Sequence, residues 1–152
     1  MTRSATGGMV AEVTSALAGP AAGAGVVGIG IDAVDIDRFR TVLDRRPTLA
    51  GRLFTDAERA YAGLVPDPVP RLATRFATKE AVLKALGLGL GAFPFHDVEV
   101  VRTGLDAPTV TLHGAAAGAA RAAGATRWHL SLTHTDLVAL AGVVASGVGS
   151  DR

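Results

Sequence analysis

Residues 75–89 constrain the fold more than any other part of the sequence, because two patterns in them favour a closely packed helix. Large apolar side chains recur at helical spacing: Leu72, Phe76, Leu83 and Leu86. A row of small side chains with a period of four accompanies them: Ala73, Ala77, Ala81 and Ala85. Small residues let another element approach the helix, and Gly87 and Gly89 end it. The sequence therefore predicts a buried helix over residues 70–86.

Four charged residues interrupt this otherwise apolar helix: Arg75, Lys79, Glu80 and Lys84. One carboxylate among three cations, followed by a glycine-rich turn, suits a site for a metal ion and phosphate groups. The structural alternative is a solvated face on which Glu80 and Lys84, at i and i+4, form an ion pair worth about 0.2–0.5 kcal/mol. From these residues alone, the ion pair is the favoured interpretation.

Composition excludes several classes of protein. The 152 residues suffice for one domain with its own core, and the net charge of +1 gives no electrostatic reason to expect a nucleic-acid partner. Cysteine is absent, which rules out disulfides and thiolate metal sites and fits a cytoplasmic protein. No uninterrupted apolar run reaches the length of a transmembrane helix, so we expect no membrane partner.

The domain is predicted to occupy residues 26–146, between a flexible Gly/Ala-rich extension (residues 1–25) and a short tail (residues 147–152). Its first strand, residues 26–34, alternates branched apolar residues with a face that carries Gly28 and Gly30. Glycines on one face of a strand suggest that a helix packs directly against them.

The remaining pattern predicts several helices, a β-hairpin, a further helix and a second β-hairpin. Helices are expected over residues 35–43, 48–53, 55–64, 70–86 and 114–124. Strands are expected over residues 97–103, 108–113, 127–134 and 137–145. Thr55 and Glu58 have the spacing of a capping box at the start of the third helix. Two hairpins imply a single α+β domain, with a largely antiparallel sheet and helices packed on one side.

Two polar positions lie at the ends of predicted strands. Asp32 follows an apolar run, where a carboxylate is rarely buried without a partner, although Asp32 or Asp35 could merely cap the next helix. His134 ends the strand over residues 127–134, and strand ends often display functional groups. The alternative is that His134 and Thr135 are ordinary turn residues.

Taken together, two carboxylates from distant segments, nearby cations and a polar strand end suggest Mg²⁺ and phosphate chemistry. The sequence contains no Walker A motif, no dinucleotide-binding glycine fingerprint after a strand, and no kinase signature. An ordinary nucleoside triphosphate site is therefore disfavoured.

Three segments, in this order, resemble holo-acyl-carrier-protein synthase, the short, trimer-forming group of the 4′-phosphopantetheinyl transferase family. They are Gly28-Ile29-Gly30-Ile31-Asp32, Arg75-Phe76-Ala77-x-Lys79-Glu80-Ala81-x-x-Lys84-Ala85-Leu86-Gly87-x-Gly89 and Trp128-His129-Leu130-Ser131-Leu132-Thr133-His134. The resemblance covers roughly residues 26–145. It implies the family's fold and a homotrimer whose active site lies between subunits.

The resemblance also implies a reaction and its cofactor. The family moves the phosphopantetheine arm of coenzyme A onto a serine of apo-acyl-carrier protein and releases adenosine 3′,5′-bisphosphate, as fatty acid biosynthesis requires. Mg²⁺ is the expected cofactor, with Asp32 and Glu80 as its protein ligands. Either Glu80 or a water on the metal could take the serine proton, and the sequence leaves this choice open.

Other matching positions receive expected roles from the same resemblance. Lys84 is expected to stabilise the leaving bisphosphate, and His134 to contact coenzyme A. Together with Glu80 these two form the predicted catalytic set. The predicted coenzyme A contacts are Lys79, Lys84, Gly87, Gly89, His134 and Thr135.

A group of arginines matches the region where the family docks the acidic helix of the carrier protein. The predicted docking residues are Arg38, Arg45, Arg46 and Arg52. For each of them a solvated surface position is the alternative. A second functional hypothesis is a catalytically silent module that binds coenzyme A or a carrier protein, or that serves as a subunit of a larger synthase.

Overall fold

A glycine-bearing strand begins the domain and leads directly into the first helix. The structure is a computed structural model that describes residues 25–147. The strand is Gly25–Asp35 (β1), and the helix is Ile36–Arg45 (α1). Asp35 caps this helix, since its carboxylate accepts a hydrogen bond from the Arg38 backbone N–H at 2.8 Å. The predicted extension and tail fall, apart from one residue each, on residues 1–24 and 148–152, which lie outside the described residues.

All other predicted elements are present, with ends within a few residues of expectation. The helices are Leu49–Leu53 (α2), Asp56–Ala62 (α3), Val69–Ala85 (α4) and Gly114–Ala122 (α5). The strands are Val98–Val101 (β2), Thr109–Leu112 (β3), Ala125–His134 (β4) and Val138–Gly147 (β5). A short 3₁₀ helix, Phe95–Asp97, precedes β2 and was not predicted. Within residues 25–147, no helix combines the length and the apolar character needed to span a bilayer.

The strands form two antiparallel sheets rather than one. Within the described chain, β5 lies between β1 and β4 in a three-stranded sheet, whereas β2 pairs with β3 in a separate ladder. The predicted α+β class and antiparallel pairing are confirmed. The two hairpins do not join, because β5 pairs with β1 on one side and β4 on the other.

Helix α4 lies across β1 and β5 at backbone contact distance. A Cβ atom added at Gly28 would lie 1.7 Å from the Ala85 carbonyl oxygen, and one added at Gly30 would lie 1.8 Å from that of Ala81. No side chain fits at either position. The predicted close approach of a helix to the glycine face of β1 is therefore correct.

The opposite face of the three-stranded sheet is apolar and open. Ile29 and Ile31 project from β1 with 63% and 62% of their surface exposed. The strand register places Val144 beside Ile29, and Leu140, which is also exposed, opposite Ala33 on the same face. No described element covers this patch, which is an unusual surface for a monomer.

Candidate active site

Asp32 and Glu80 line one cavity of about 470 Å³, here called the carboxylate cavity. Its other walls are mostly apolar and come from β1, α1, α2 and α4: Ala33, Val34, Asp35, Arg38, Phe39, Val42, Leu49, Leu53 and Phe76. The two carboxylates meet there because α4 contacts β1 through Ala81 and Gly30. Glu80 precedes Ala81, and Asp32 lies two residues beyond Gly30 on the same strand face.

The two carboxylates repel each other's charge. The pKa of Glu80 is raised above its ordinary value, first by burial and then by the negative charge of Asp32, while Lys84 acts in the opposite direction. A hard cation between them would relieve this repulsion. Residues 25–147 contain no group of three or more histidine, cysteine or acidic side chains placed to hold a metal ion. Two carboxylates with room for phosphate oxygens are the donor set that Mg²⁺ favours, so the residues present fit this ion.

Lys84 pairs with Asp32, not with Glu80. Its Nζ donates to Asp32 Oδ1 at 2.9 Å and to the Ile31 carbonyl oxygen at 2.9 Å. The ion pair expected between Glu80 and Lys84 is therefore wrong, because the close packing of α4 on β1 brings the strand within reach of the lysine. The Lys84 side chain keeps half of its surface exposed. Asp35, not Asp32, caps α1, which leaves Asp32 free for this contact.

A second cavity, of about 530 Å³, lies beside the end of β4 and is here called the arginine cavity. Its charged and polar lining includes Tyr61, Arg71, Arg75, Arg102, Ser131, Thr133 and His134. The Tyr61 ring is contacted by two guanidinium groups, with carbon-to-centroid distances of 4.5 Å for Arg71 and 4.3 Å for Arg75. Three cations around one hollow form a favourable environment for an anion.

Arg75 is the most unusual member of this cavity. The residue is only 3% exposed, and burial lowers the pKa of its guanidinium. One of its terminal nitrogens donates to the Arg71 carbonyl oxygen at 3.2 Å, while its buried Nε has no partner among the described residues. A buried donor without an acceptor is costly, and the charge of this buried guanidinium adds to the positive potential of the cavity.

The two cavities lie on opposite sides of α4. Arg71 and Glu80 are nine residues apart, and at about 100° per residue their side chains leave the helix in opposite directions. Within one chain, the structure therefore brings Asp32, Glu80 and Lys84 together but leaves His134 in the other cavity. The ring of His134 contacts the Thr135 carbonyl oxygen at 3.2 Å.

The predicted glycine and threonine contacts have clear local roles. Gly87 has φ +68°, a left-handed conformation that ends α4, and it lines a third cavity beside Lys84. Gly89 is exposed two residues later. Thr135 closes the β4–β5 turn, since its Oγ1 accepts from the Leu137 and Val138 N–H groups at 3.2 and 3.1 Å. The turn interpretation of Thr135 thus agrees with the structure.

Lys79 does not face any of these cavities. Its side chain has no exposed surface, and its Nζ donates to Glu58 Oε2 at 2.8 Å and to the carbonyl oxygens of Phe95 and Val98. A side chain in this state cannot touch a bound nucleotide unless the core opens. The expected contact between Lys79 and coenzyme A therefore has no support in this geometry.

The predicted docking arginines separate into two groups. Arg38 lines the carboxylate cavity, and Arg52 lines a neighbouring apolar groove of about 580 Å³ that shares Leu49 and Leu53 with it. Arg45 ends α1 and Arg46 follows it, both on the exposed surface outside these cavities.

Comparison with known proteins identifies the family. The model of the 4′-phosphopantetheinyl transferase superfamily matches residues 28–138. The chain belongs to this superfamily. It is 50% identical to the holo-[acyl-carrier-protein] synthase of Frankia alni over 120 residues, which are 79% of this chain and 97% of that protein. The corresponding synthase of Salinispora arenicola is 48% identical over 79% of this chain and 98% of its own length. The expected family and the expectation of a transferase are confirmed.

Solved structures of synthases have the same fold. The holo-[acyl-carrier-protein] synthase of Neisseria meningitidis superposes with a TM-score of 0.72 at 32% identity, covering 80% of this chain and 98% of that one. The Bacillus anthracis synthase, solved in complex with CoA (3′,5′-ADP), gives a TM-score of 0.66 at 31% identity. The match covers 80% of this chain and 97% of that one. The expected fold is confirmed.

No sequence pattern indicated the arginine cavity as a unit. Arg71, Arg75 and Arg102 come from a helix and from the segment after β2, and Tyr61 comes from α3. Arg75 lies within the recognised helix motif, but its burial beside an aromatic ring depends on contacts between elements distant in sequence.

Proposed function

We propose that this protein transfers the phosphopantetheine arm of coenzyme A to a serine of apo-acyl-carrier protein and releases adenosine 3′,5′-bisphosphate. The observation that carries the proposal is that Asp32 and Glu80, the latter on the helix that bears the family motif, line one cavity, with Lys84 hydrogen-bonded to Asp32. The names of the relatives support the carrier protein as acceptor, and the complex of the Bacillus anthracis synthase with CoA supports coenzyme A as donor.

Asp32 and Glu80 would hold Mg²⁺ in this reaction. When bound, the ion supplies positive charge to the pyrophosphate oxygens, where negative charge accumulates during phosphoryl transfer. Without the ion, burial and the charge of Asp32 raise the pKa of Glu80, and a bound cation would lower it again and hold Glu80 as a carboxylate.

Lys84 stabilises the leaving group. The serine oxygen forms a bond to the phosphorus that carries the pantetheine arm, and the bond from that phosphorus to the oxygen of the adenosine bisphosphate breaks. The Lys84 side chain is half exposed, so its ammonium can exchange Asp32 and the Ile31 carbonyl for a phosphate oxygen without any opening of the core. Positive charge there offsets the negative charge that the leaving bisphosphate acquires.

The arginine cavity would bind the nucleotide end of coenzyme A, whose adenosine carries a further phosphate at the 3′ position. The positive charges of the three arginines that line it support this assignment, and His134 lies at the same cavity. Because this cavity and the carboxylate cavity lie on opposite sides of α4, one coenzyme A would contact them on two adjacent copies of the chain.

Such a shared site needs an oligomer, for which we propose a homotrimer. The open apolar face of the sheet, with Ile29 and Ile31 most exposed, supports contact between copies. This assembly would work in the cytoplasm on carrier proteins of fatty acid biosynthesis. Arg38, at the carboxylate cavity, would meet an acidic carrier helix, and Arg52 would extend that contact.

A mass measurement tests the proposal. The full chain is incubated with coenzyme A, Mg²⁺ and several apo-acyl-carrier proteins, and each carrier is then weighed by mass spectrometry. We expect a gain of one phosphopantetheine, lost in Glu80→Gln and retained in Glu99→Gln, which removes a carboxylate outside the cavity. Binding of coenzyme A without any mass gain would instead indicate a silent binding module.

A further inference from the structure

A buried ion pair lies behind the active-site helix, and the proposed reaction does not use it. Lys79, the residue before Glu80, is fully buried, and so is its partner Glu58, which is 1% exposed. The Lys79 ammonium contacts oxygens of three separate segments: Glu58 on α3, the Phe95 carbonyl in the 3₁₀ helix and the Val98 carbonyl at the start of β2. Its three donors are therefore all directed at fixed acceptors.

Glu58, the other half of this pair, is held by two backbone N–H groups. Its Oε2 accepts from the Thr55 backbone N–H at 3.0 Å, which completes the capping box at the start of α3. Its Oε1 accepts from the Val100 N–H of β2 at 2.9 Å. One carboxylate thus connects α3, α4 and β2 through hydrogen bonds alone.

Stability does not by itself explain a pair of this kind. Two buried charges lose their hydration, and well-packed apolar residues of similar volume often serve a core equally well. What a hydrogen-bonded pair adds is a defined direction, since the ammonium must meet its three oxygens at once. A buried ion pair in this location therefore suggests a requirement for a specific helix orientation.

The contact between α4 and β1 does not by itself determine the orientation of the helix. On the β1 side, the helix rests on Gly28 and Gly30, which have no side chains to interlock with its surface. Such a contact sets the distance between helix and strand, whereas the rotation of the helix depends on the contacts of its other sides. Lys79 leaves the helix about 100° from Glu80, so its three fixed hydrogen bonds add a directional constraint on that rotation.

We propose that Lys79 and Glu58 form a positioning pair, which sets the rotation of α4 so that Glu80 and Lys84 meet Asp32 in the geometry that transfer requires. The inference rests on the proposed function, since it assigns to these residues the alignment of that same site. A small rotational error at a reacting centre is expensive, because a displacement of about 1 Å can cost on the order of a hundredfold in rate.

Three variants separate positioning from stability. The double variant Glu58→Gln/Lys79→Met removes both charges and keeps an acceptor oxygen at the capping box. Lys79→Arg keeps the charge but changes the length and shape of the anchor. Val82→Ala removes buried volume one turn further along the same helix and leaves both charges in place, so it serves as the stability control. Each protein is measured for its unfolding temperature, for Mn²⁺ affinity by electron paramagnetic resonance with coenzyme A present, and for kcat and KM.

We expect the double variant and Lys79→Arg to bind Mn²⁺ at least about tenfold more weakly than wild type and to lose kcat by a similar or larger factor. Val82→Ala should lower the unfolding temperature while Mn²⁺ affinity stays near that of wild type. Wild-type Mn²⁺ affinity and kcat in the double variant or in Lys79→Arg would overturn the positioning role. A wild-type chain that transfers nothing would instead contradict the proposed function itself.

Discussion

The chain contains two lysines, five residues apart on one helix, and each pairs with a carboxylate in a different way. Lys79 and Glu58 are both fully buried, whereas the Lys84 side chain is half exposed and its partner Asp32 is partly accessible. All three hydrogens of the Lys79 ammonium face protein oxygens, but Lys84 is held by only two contacts at the surface. The first pair is suited to hold a position, and the second is suited to exchange its partner during a reaction.

Stability should distinguish the two pairs most strongly. Lys79→Met leaves the Glu58 carboxylate buried without a counter-ion, and breaking a buried pair in this way costs about 3–5 kcal/mol of unfolding free energy. Lys84→Met breaks a pair that water can replace, so its cost should stay below about 1 kcal/mol. Urea denaturation of both variants measures the difference. Equal losses would contradict the distinction between a fixed pair and an exchangeable one.

Replacing Lys84 should cost little stability but much activity. We expect Lys84→Met to lower kcat by about a hundredfold, because the leaving bisphosphate loses a cationic partner. The same variant should bind Mn²⁺ more tightly than wild type when coenzyme A is absent, since no ammonium competes for Asp32. Single-turnover transfer and Mn²⁺ titration measure the two effects. If Mn²⁺ affinity without coenzyme A falls, the lysine assists the metal ligands and does not compete with them.

Replacing Arg38 should have a smaller effect, and the effect should be specific to the carrier protein. Arg38→Glu reverses a charge at the carboxylate cavity while the Arg38 backbone N–H, which takes part in the cap of α1, is kept. We expect about a tenfold rise in KM for an acidic carrier, with a smaller change in KM for coenzyme A, and the difference should shrink at high salt. Arg121→Glu, on the exposed surface of α5, is the matched control. A parallel rise in both KM values would argue against docking at Arg38.

The smallest expected effect is the pH-dependent contribution of Glu80 to stability. Because burial and Asp32 raise the pKa of this carboxyl in the folded protein, its contribution to stability is present at low pH and is lost as pH rises through the raised value. Without divalent ions, Glu80→Gln should therefore unfold at a higher temperature than wild type at pH 8, by the equivalent of less than about 1 kcal/mol after allowance for solvent screening. At pH 4 the difference should nearly vanish. Thermal unfolding at the two pH values tests this, and an equal shift at both would refute the assigned repulsion.

The sequence predicted those features that depend on local pattern. Gly28 and Gly30 on one strand face, together with the alanine row of α4, predicted the helix–strand contact that brings Asp32 and Glu80 to one cavity. The spacing of Thr55 and Glu58 predicted the capping box, which the structure contains. Alternation along the later strands predicted the β4–β5 hairpin.

Features that depend on partners from distant segments could not be predicted in this way. Lys79 and Lys84 both resemble surface lysines in the sequence, and only the positions of Glu58, Phe95 and Val98 show that the first is buried. Likewise, helical spacing favoured Glu80 as the partner of Lys84, whereas Asp32, from a strand some fifty residues earlier, is its actual partner. Which charges pair depends on their distance in the folded protein, and separation along the sequence does not show that distance.

The contact of α4 with β1 has a consequence for how this site tolerates sequence change. At Gly28 and Gly30, main chain lies against main chain, so the spacing between the Asp32 strand and the Glu80 helix does not depend on any side chain. A single methyl group at Gly30 would have to move the helix by well over an ångström before an ordinary van der Waals distance was restored. Apolar repacking elsewhere in the core can therefore vary with little effect on the distance between this helix and this strand, whereas one added carbon atom at their crossing would change it directly.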